Sequence, residues 1–445
     1  MNLLHKLRIK FQFSWPELLL RFSLRLGSPR LTALALAAIA HPLNGPASPK
    51  LQRGEAGQQR VLTIARSIFM DDVHALAAYS GKIQYITLHL KYFVMMWEHF
   101  NGSQESNQVT ESNYHVADFS REGKKRYHAY LQALLPILAR QLRLDAVFSG
   151  NFAYVAQQEL ARVCVEQRLP FIVLHNDGLD IFKDLKALYK NYQFIGNNVL
   201  FYNHRVQQAL LHLPGLSEQN TQVVGIPRLD IYFRKAASVP EEKQIVLFSF
   251  YPPSYQSFLR GNTQSYPEVE QRAERFHRAA MQYALDHPDT TVTIKTKVAG
   301  FYLAYVENIR RRHFSQPIPN LKITNSADPY ELVRHSSSVL SFNSTTLLEG
   351  LLAGKTIVTP YFGDLLPGQT WDYFSEHPAL VNYAKTDQDL CTLLEHPEQH
   401  RRYTVEQRNA VLQHLMFIPD GRASQRVEQA IIQAITAARK ITHHA

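Results

Sequence analysis

Cysteine is scarce in this chain: 445 residues hold only Cys164 and Cys391. They lie far apart, each in a segment that reads as helix, so neither a disulfide framework nor a zinc cluster can be built from them. Both read as small buried hydrophobes, and a reducing compartment fits. Long apolar runs are missing too. The longest early one, LTALALAAIA at 31–40, has roughly half the length a helix needs to cross a bilayer. It stands behind a charged segment, too far in for an ordinary secretion signal. No Gly-x-Gly-x-x-Gly opens the first unit and no P-loop occurs, which argues against NAD, FAD and P-loop chemistry. No Asp-x-Asp sits at the end of an expected strand. The twenty histidines form no helix-borne pair with a third ligand. No bound metal and no cofactor beyond a donor substrate is therefore expected.

What is present is a globular composition, with 45% apolar and 19% charged residues and enough length for two cores. The net charge of +10 suggests anionic partners such as phosphates or an acidic membrane face. No regular basic-aromatic module appears, so nucleic acid is not expected. The charge is concentrated at the start, where Lys6, Arg8, Lys10, Arg21, Arg25 and Arg30 face one acid, Glu17. Leu4, Leu7, Phe11, Trp15, Leu18, Phe22 and Leu26 recur at spacings of three and four, one face of a helix. Ser14 and Glu17 form a capping box that restarts the helix after the break at Pro16, and Gly27 suits a stop. Residues 1–41 thus read as short basic amphipathic helices. Such helices either rest on an anionic membrane surface or pack on the protein's own body, and the sequence leaves both open.

Residues 42–60, rich in Pro, Gly, Ser and Gln, read as a linker. Short apolar runs at 61–65, 82–88, 145–150, 170–175 and 198–203 then alternate with longer segments, including a helix near 153–168. Residues 89–128 hold no clear strand. A charged stretch near 236–243 separates a second alternation, with strands at 245–250, 291–297, 321–325, 338–342 and 356–361. Helices are expected between them at 268–286, 302–313, 328–336 and 345–353. The expected architecture is α/β, with one doubly wound domain over 61–235, a second over 244–400, and helices over 401–445.

Ligands of such domains bind beyond the carboxyl ends of the strands. The richest exit is SFNSTTLLEGLLAGK at 341–355. Asn343, Ser344, Thr345 and Thr346 follow a strand and open a helix, where free N–H groups and hydroxyls suit a diphosphate. Glu349 lies one turn in, placed to accept hydrogen bonds from ribose hydroxyls, and Gly350 and Gly354 permit close approach of backbone. An N-capped helix that binds nothing fits the same residues.

This segment resembles the donor-site signature of GT-B glycosyltransferases, and the matching part of CDP-glycerol glycerophosphotransferases and capsule enzymes. GIPRLD at 225–230 resembles the Gly-x-Pro-Arg motif of that group, and TIKTK at 293–297 resembles its strand with a basic residue near the donor phosphates. Lys297 and Val298 stand where the glycerophosphotransferases usually carry His-Pro. The resemblance implies two Rossmann-like domains facing a cleft, a nucleotide-sugar donor and a glycan or lipid-linked acceptor. It makes Arg228, Lys295 and Lys297 candidates to neutralise the departing phosphates; ordinary salt bridging is the alternative. In the first domain His175 and Asp177 leave a strand where a catalytic base would stand, with Gly178 allowing the turn, although Asp177-Gly178 also reads as a plain turn. Arg66, Ser67 and Asn151 are acceptor-side candidates. The expected function is sugar transfer to a growing surface glycan, such as capsule or lipopolysaccharide, in the cytoplasm on the inner membrane face. CDP-polyol phosphotransfer, nucleotide-sugar epimerisation and a non-catalytic role in glycan export are the alternatives.

Overall fold

A computed structural model describes residues 15, 17–43, 58–66, 69–176, 179, 189, 191–234, 243–252, 266–365, 372–374 and 376–443. The expectations for Leu4, Leu7, Phe11, Ser14, Pro16, Ser67, Asp177 and Gly178, and for most of the 42–60 linker, fall outside those residues. The chain divides into two compact units. The first takes most of the chain up to Ile231 and also Asp420 onward; the second takes the stretch from Tyr232 to Pro419 together with a short piece at 178–184.

In the first unit the described strands are β1 (His41–Pro42), β2 (Gln59–Ala65), β3 (Ile83–His89), β4 (Ala146–Ser149), β5 (Phe171–His175), β6 (Asn198–Phe201) and β7 (Thr221–Val223). Their order is β1-β3-β2-β4-β5-β6-β7, parallel except for β1 against β3. The central strands are apolar and buried on both faces, so helices must cover both sides of the sheet. The chain steps from β2 to β3, then crosses back to place β4 on the other side of β2. That reversal parts the connecting loops and opens a crevice at the carboxyl ends of β2 and β4.

The early apolar run forms the helix Pro29–Ile39, with the Ser28 side chain accepting the Leu31 N–H. Its small residues Ala33 and Ala37, with Thr32 and Leu36, are buried against the helix Arg121–Leu142. Thr32 Oγ1 lies 2.6 Å from the Tyr130 hydroxyl and 2.8 Å from Ser23 Oγ. This run is therefore core of the first unit. The last helix, Ala423–His443, belongs there too. The buried Asp230 carboxylate accepts the N–H groups of Ala423 and Ser424 at 3.0 and 2.7 Å, meeting the free donors of a helix start.

The second unit holds β8 (Gln244–Phe248), β9 (Thr291–Lys295), β10 (Leu321–Thr324), β11 (Ser338–Leu340), β12 (Thr356–Pro360) and β13 (Asn382–Ala384). The order is β10-β9-β8-β11-β12-β13, parallel throughout, with the reversal between β8 and β11. Ile245, Leu247, Ile294, Leu340 and Val358 from the strands pack with Ala273, Ala280 and Ala284 of the helix Tyr266–Asp286. A Cβ at Gly350 would stand 2.5 Å from Ile357 Cδ1 and 3.1 Å from Val339 Cβ, so the helix Thr346–Leu352 packs closely on the sheet at this glycine.

Two doubly wound Rossmann-like units are thus present, as expected. β1, β7 and β13 and the 22-residue helix Arg121–Leu142 were not foreseen. Strands of two or three residues carry too little period to read. Among the described residues no helix is long and apolar enough to cross a membrane.

Candidate functional site

The exits of β8 and β11 flank the reversal of the second sheet. Ser341 Oγ donates to the Phe248 carbonyl at 2.9 Å and stitches the two exits together. Asn343 follows with φ of 45°, a left-handed conformation that asparagine tolerates better than most residues. Its Oδ1 accepts the Tyr373 N–H at 3.1 Å. The turn then presents Ser344, Thr345 and Thr346, all half-buried. Ser344 Oγ accepts the Thr346 N–H at 3.3 Å and the Thr346 hydroxyl at 2.8 Å. Glu349 lies one turn on, 8% exposed, and accepts the Tyr232 hydroxyl at 2.9 Å. Burial and this carboxylate push the Tyr232 phenol far above its usual range, so it stays protonated and donates. The structure therefore brings Asn343, Ser344, Thr345, Thr346 and Glu349 together on one strand–turn–helix segment.

Beside them, Ser249 follows β8. Its Oγ lies 3.0 Å from His277 Nε2, while His277 Nδ1 lies 2.7 Å from the Ala273 carbonyl. A carbonyl only accepts, so Nδ1 carries the proton and Nε2 takes the Ser249 hydroxyl. Burial drives the His277 pKa down to about 4, which keeps the ring neutral.

The cations separate. Lys295 ends β9 and donates to the carbonyls of Thr296 (2.7 Å) and Asn325 (3.2 Å), fastening the ends of β9 and β10. Lys297 is exposed, its ammonium 5.5 Å from the Tyr302 ring centre. Tyr251 packs edge-on against Phe301 and Tyr302 at 5.7 and 5.8 Å, so an aromatic cluster stands at the exits of β8 and β9. Sequence reasoning missed it; the signal was the Phe301-Tyr302 pair just past the basic strand. Arg228 belongs to the first unit, where it donates to the fully buried Asp72 at 2.8 Å and to the Tyr202 hydroxyl at 3.0 Å.

In the first unit, His175 ends β5 at 1% exposure. It stacks on Phe152 at 4.6 Å and meets Phe201 edge-on at 5.7 Å. Neither ring nitrogen has a hydrogen-bond partner among the described residues. Burial drives its pKa down to about 3. Asn151 is fully buried and shapes its own loop, its carbonyl accepting Ser149 Oγ at 3.1 Å. Arg66 is exposed just beyond β2, its guanidinium 5.2 Å from the Tyr154 ring centre. It lines a cavity of about 440 Å³ with His89, Lys91, Trp97, Ser106 and Glu111. No motif in 89–128 marked these last residues.

β13 places Asp387-Gln388-Asp389 shortly beyond a strand end, an arrangement not expected from the sequence. Asp389 caps its own helix with Thr386, and Asp387 pairs with Arg275 and Arg278 at 2.5 and 2.9 Å, so both carboxylates serve local structure. Ligand atoms of Glu376, His377 and His414 lie within 4.8 Å of one another near the surface.

No protein-family model matches the chain, and no curated protein matches it in sequence. Solved structures do. A crystal structure described as a UDP-N-acetylglucosamine 2-epimerase from Listeria monocytogenes matches with a TM-score of 0.50 and 11% identity, over 85% of this chain and 97% of that one. The UDP-GlcNAc 2-epimerase of Neisseria meningitidis bound to UDP-GlcNAc gives 0.46 and 13%, over 84% of this chain and 100% of that one. A glycosyltransferase from Rickettsia africae gives 0.43 and 11%, over 84% and 99%. At such identity the first likeness establishes a shared two-domain fold, and the other two carry no argument.

Proposed function

We propose that this chain is a glycosyltransferase that moves a sugar from a nucleotide-sugar donor to a growing surface glycan, without a bound metal. The observation that carries this reading is the hydroxylated turn Asn343–Thr346 at the reversal of the second sheet, where α/β domains hold their ligands. In this reading the turn holds the donor diphosphate, Glu349 meets the ribose, and the Tyr251–Phe301–Tyr302 cluster stacks the base. Lys297 offsets the negative charge that grows on the departing phosphate. Lys295 positions the loops around it, and Arg228 braces the first unit. Arg66, with Ser67, serves the acceptor and Asn151 shapes the loop beside it. Asp177 is the base, while His175 is sealed among aromatic rings and serves packing.

The starting helix supports a membrane surface as the workplace. Leu20, Ser23 and Leu24 are buried, yet Trp15 (58% exposed), Leu18, Phe22 (61%) and Leu26 face outward, beside exposed Arg21, Arg25 and Arg30. One face of this helix is used by the fold and the other suits the interface of an anionic bilayer on the cytoplasmic side. An epimerase, the activity named for two of the similar structures, needs neither an acceptor pocket nor such a face. Polyol-phosphate transfer is less favoured, because Lys297-Val298 replaces His-Pro.

Two measurements test the reading. A thermal-shift screen across UDP, CMP, CDP, GDP and ADP should find one nucleotide that raises the melting temperature. The matching nucleotide sugar should then release free nucleotide only when acceptor is added. Isomerisation of the donor alone would move the assignment to an epimerase.

A further inference from the structure

The cavity in the first unit lies at the carboxyl ends of β2 and β3, beside the reversal of that sheet, and its size is that of a small-ligand site. Its donors outnumber their partners. The Arg66 guanidinium has the Tyr154 ring as its partner, which leaves its in-plane N–H groups without an acceptor among the described residues. His89 Nδ1 accepts the Lys91 N–H at 3.0 Å, so the neutral ring carries its proton on Nε2 and donates from there. Burial and the charges of Lys91 and Arg66 hold this histidine below its ordinary pKa. Ser106 Oγ is buried on the cavity wall with no partner among the described residues. Three donors thus converge on a pocket whose wall includes the indole of Trp97.

The wall also reaches the membrane-facing helix. Lys91 Nζ pairs with Glu17 at 2.8 Å, and Glu17 lies on the helix that exposes Trp15, Leu18 and Phe22. A ligand seated against Lys91 therefore lies next to the apolar surface that a bilayer would cover.

We propose that this cavity binds the head of a membrane-anchored acceptor, an amphiphile whose sugar or linker bears a carboxylate or phosphate held by Arg66, His89 and Ser106. This rests on the transferase reading and specifies its acceptor. Glu111 stands on the same wall; burial raises its pKa, and the charge of Arg66 partly opposes that rise.

The test is equilibrium binding to the full chain, below micellar concentration, of octyl glucuronide, octyl phosphate, octyl glucoside and free glucuronate. At least one anionic amphiphile should bind about tenfold more tightly than octyl glucoside or glucuronate, and its headgroup tells carboxylate from phosphate. Arg66→Gln should cost that ligand on the order of tenfold, as loss of a charge-assisted hydrogen bond does, and leave octyl glucoside unchanged. Equal affinity for octyl glucuronide, octyl phosphate and octyl glucoside, or no effect of Arg66→Gln, overturns the proposal. Glucuronate binding as tightly as octyl glucuronide overturns the membrane anchor. Nucleotide thermal shifts on the same samples report the donor site separately, so their loss with amphiphile binding intact sinks the transferase reading alone.

Discussion

The Tyr232 hydroxyl donates to the Glu349 carboxylate across 2.9 Å and ties Tyr232 to the helix Thr346–Leu352 within the second unit. Tyr232 also packs on Tyr330 at 5.1 Å, so the carboxylate is held from one side by a braced phenol. A fixed carboxylate costs a ligand no reorganisation when a ribose hydroxyl arrives.

Glu349→Ala should weaken nucleotide affinity about tenfold with the fold retained. It also leaves the half-buried Tyr232 phenol unpaired, at a cost of up to about 1 kcal/mol in stability. Tyr232→Phe should lose only a few-fold in affinity, because the carboxylate stays. Titration calorimetry with the nucleotide found by thermal shift reads both variants. Unchanged affinity in Glu349→Ala removes this residue from the site.

Arg228 joins Asp72 in a pair whose acid is fully buried. Removing one partner of a buried pair strands the other, which typically costs about 3–5 kcal/mol. Arg228→Ala should therefore lower the urea midpoint clearly while leaving nucleotide affinity within about twofold. The opposite outcome, a stable protein that has lost its nucleotide, would return Arg228 to the donor phosphates.

Two buried imidazoles set an acid limit. His277 and His175 have their pKa values pushed down to about 4 and about 3, against the usual 6.5 in an unfolded chain. Below pH 6.5 the unfolded chain takes up protons that the folded one refuses. The stability from these two groups is thus complete above about pH 6.5 and falls as the pH drops toward 4, by about 1.4 kcal/mol per unit for each fully responding group. Urea unfolding between pH 7.5 and 4.5 measures that slope. His175→Phe keeps the stacked ring and should make the slope shallower; an unchanged slope would mean that His175 is protonated in the folded protein.

The alternation of apolar runs with helices made both sheets legible, because central parallel strands must be buried on two faces and so read as continuous apolar runs. The turn at Asn343–Thr346 was legible for a related reason: small polar residues between an apolar strand and an apolar helix stand out locally. The cavity was not. Arg66, His89 and the pair Ser106 and Glu111 come from three separate stretches of chain and are brought to one cavity by the fold. His175 failed in the opposite direction. A histidine at a strand exit looks like a base, but Phe152, Tyr189 and Phe201 close around it, and no sequence spacing reveals that.

The outward face of the first helix yields the last prediction. Trp15, Leu18, Phe22 and Leu26 share that face, and burying a large side chain in an interface stabilises by about 1.5–3 kcal/mol. Trp15→Ser with Phe22→Ser should therefore cut binding to vesicles containing anionic lipid by more than about tenfold. Changing Arg21, Arg25 and Arg30 to Gln should weaken binding to anionic vesicles and abolish its salt dependence, with little effect on neutral ones. Neither set touches Leu20 or Leu24, the buried face, so melting temperature should hold. Flotation assays with the full chain distinguish the outcomes. Binding that survives both sets of changes would place the membrane contact elsewhere, and a shift from dimer to monomer on changing Trp15 and Phe22 would instead make this face an interface between two copies of the chain.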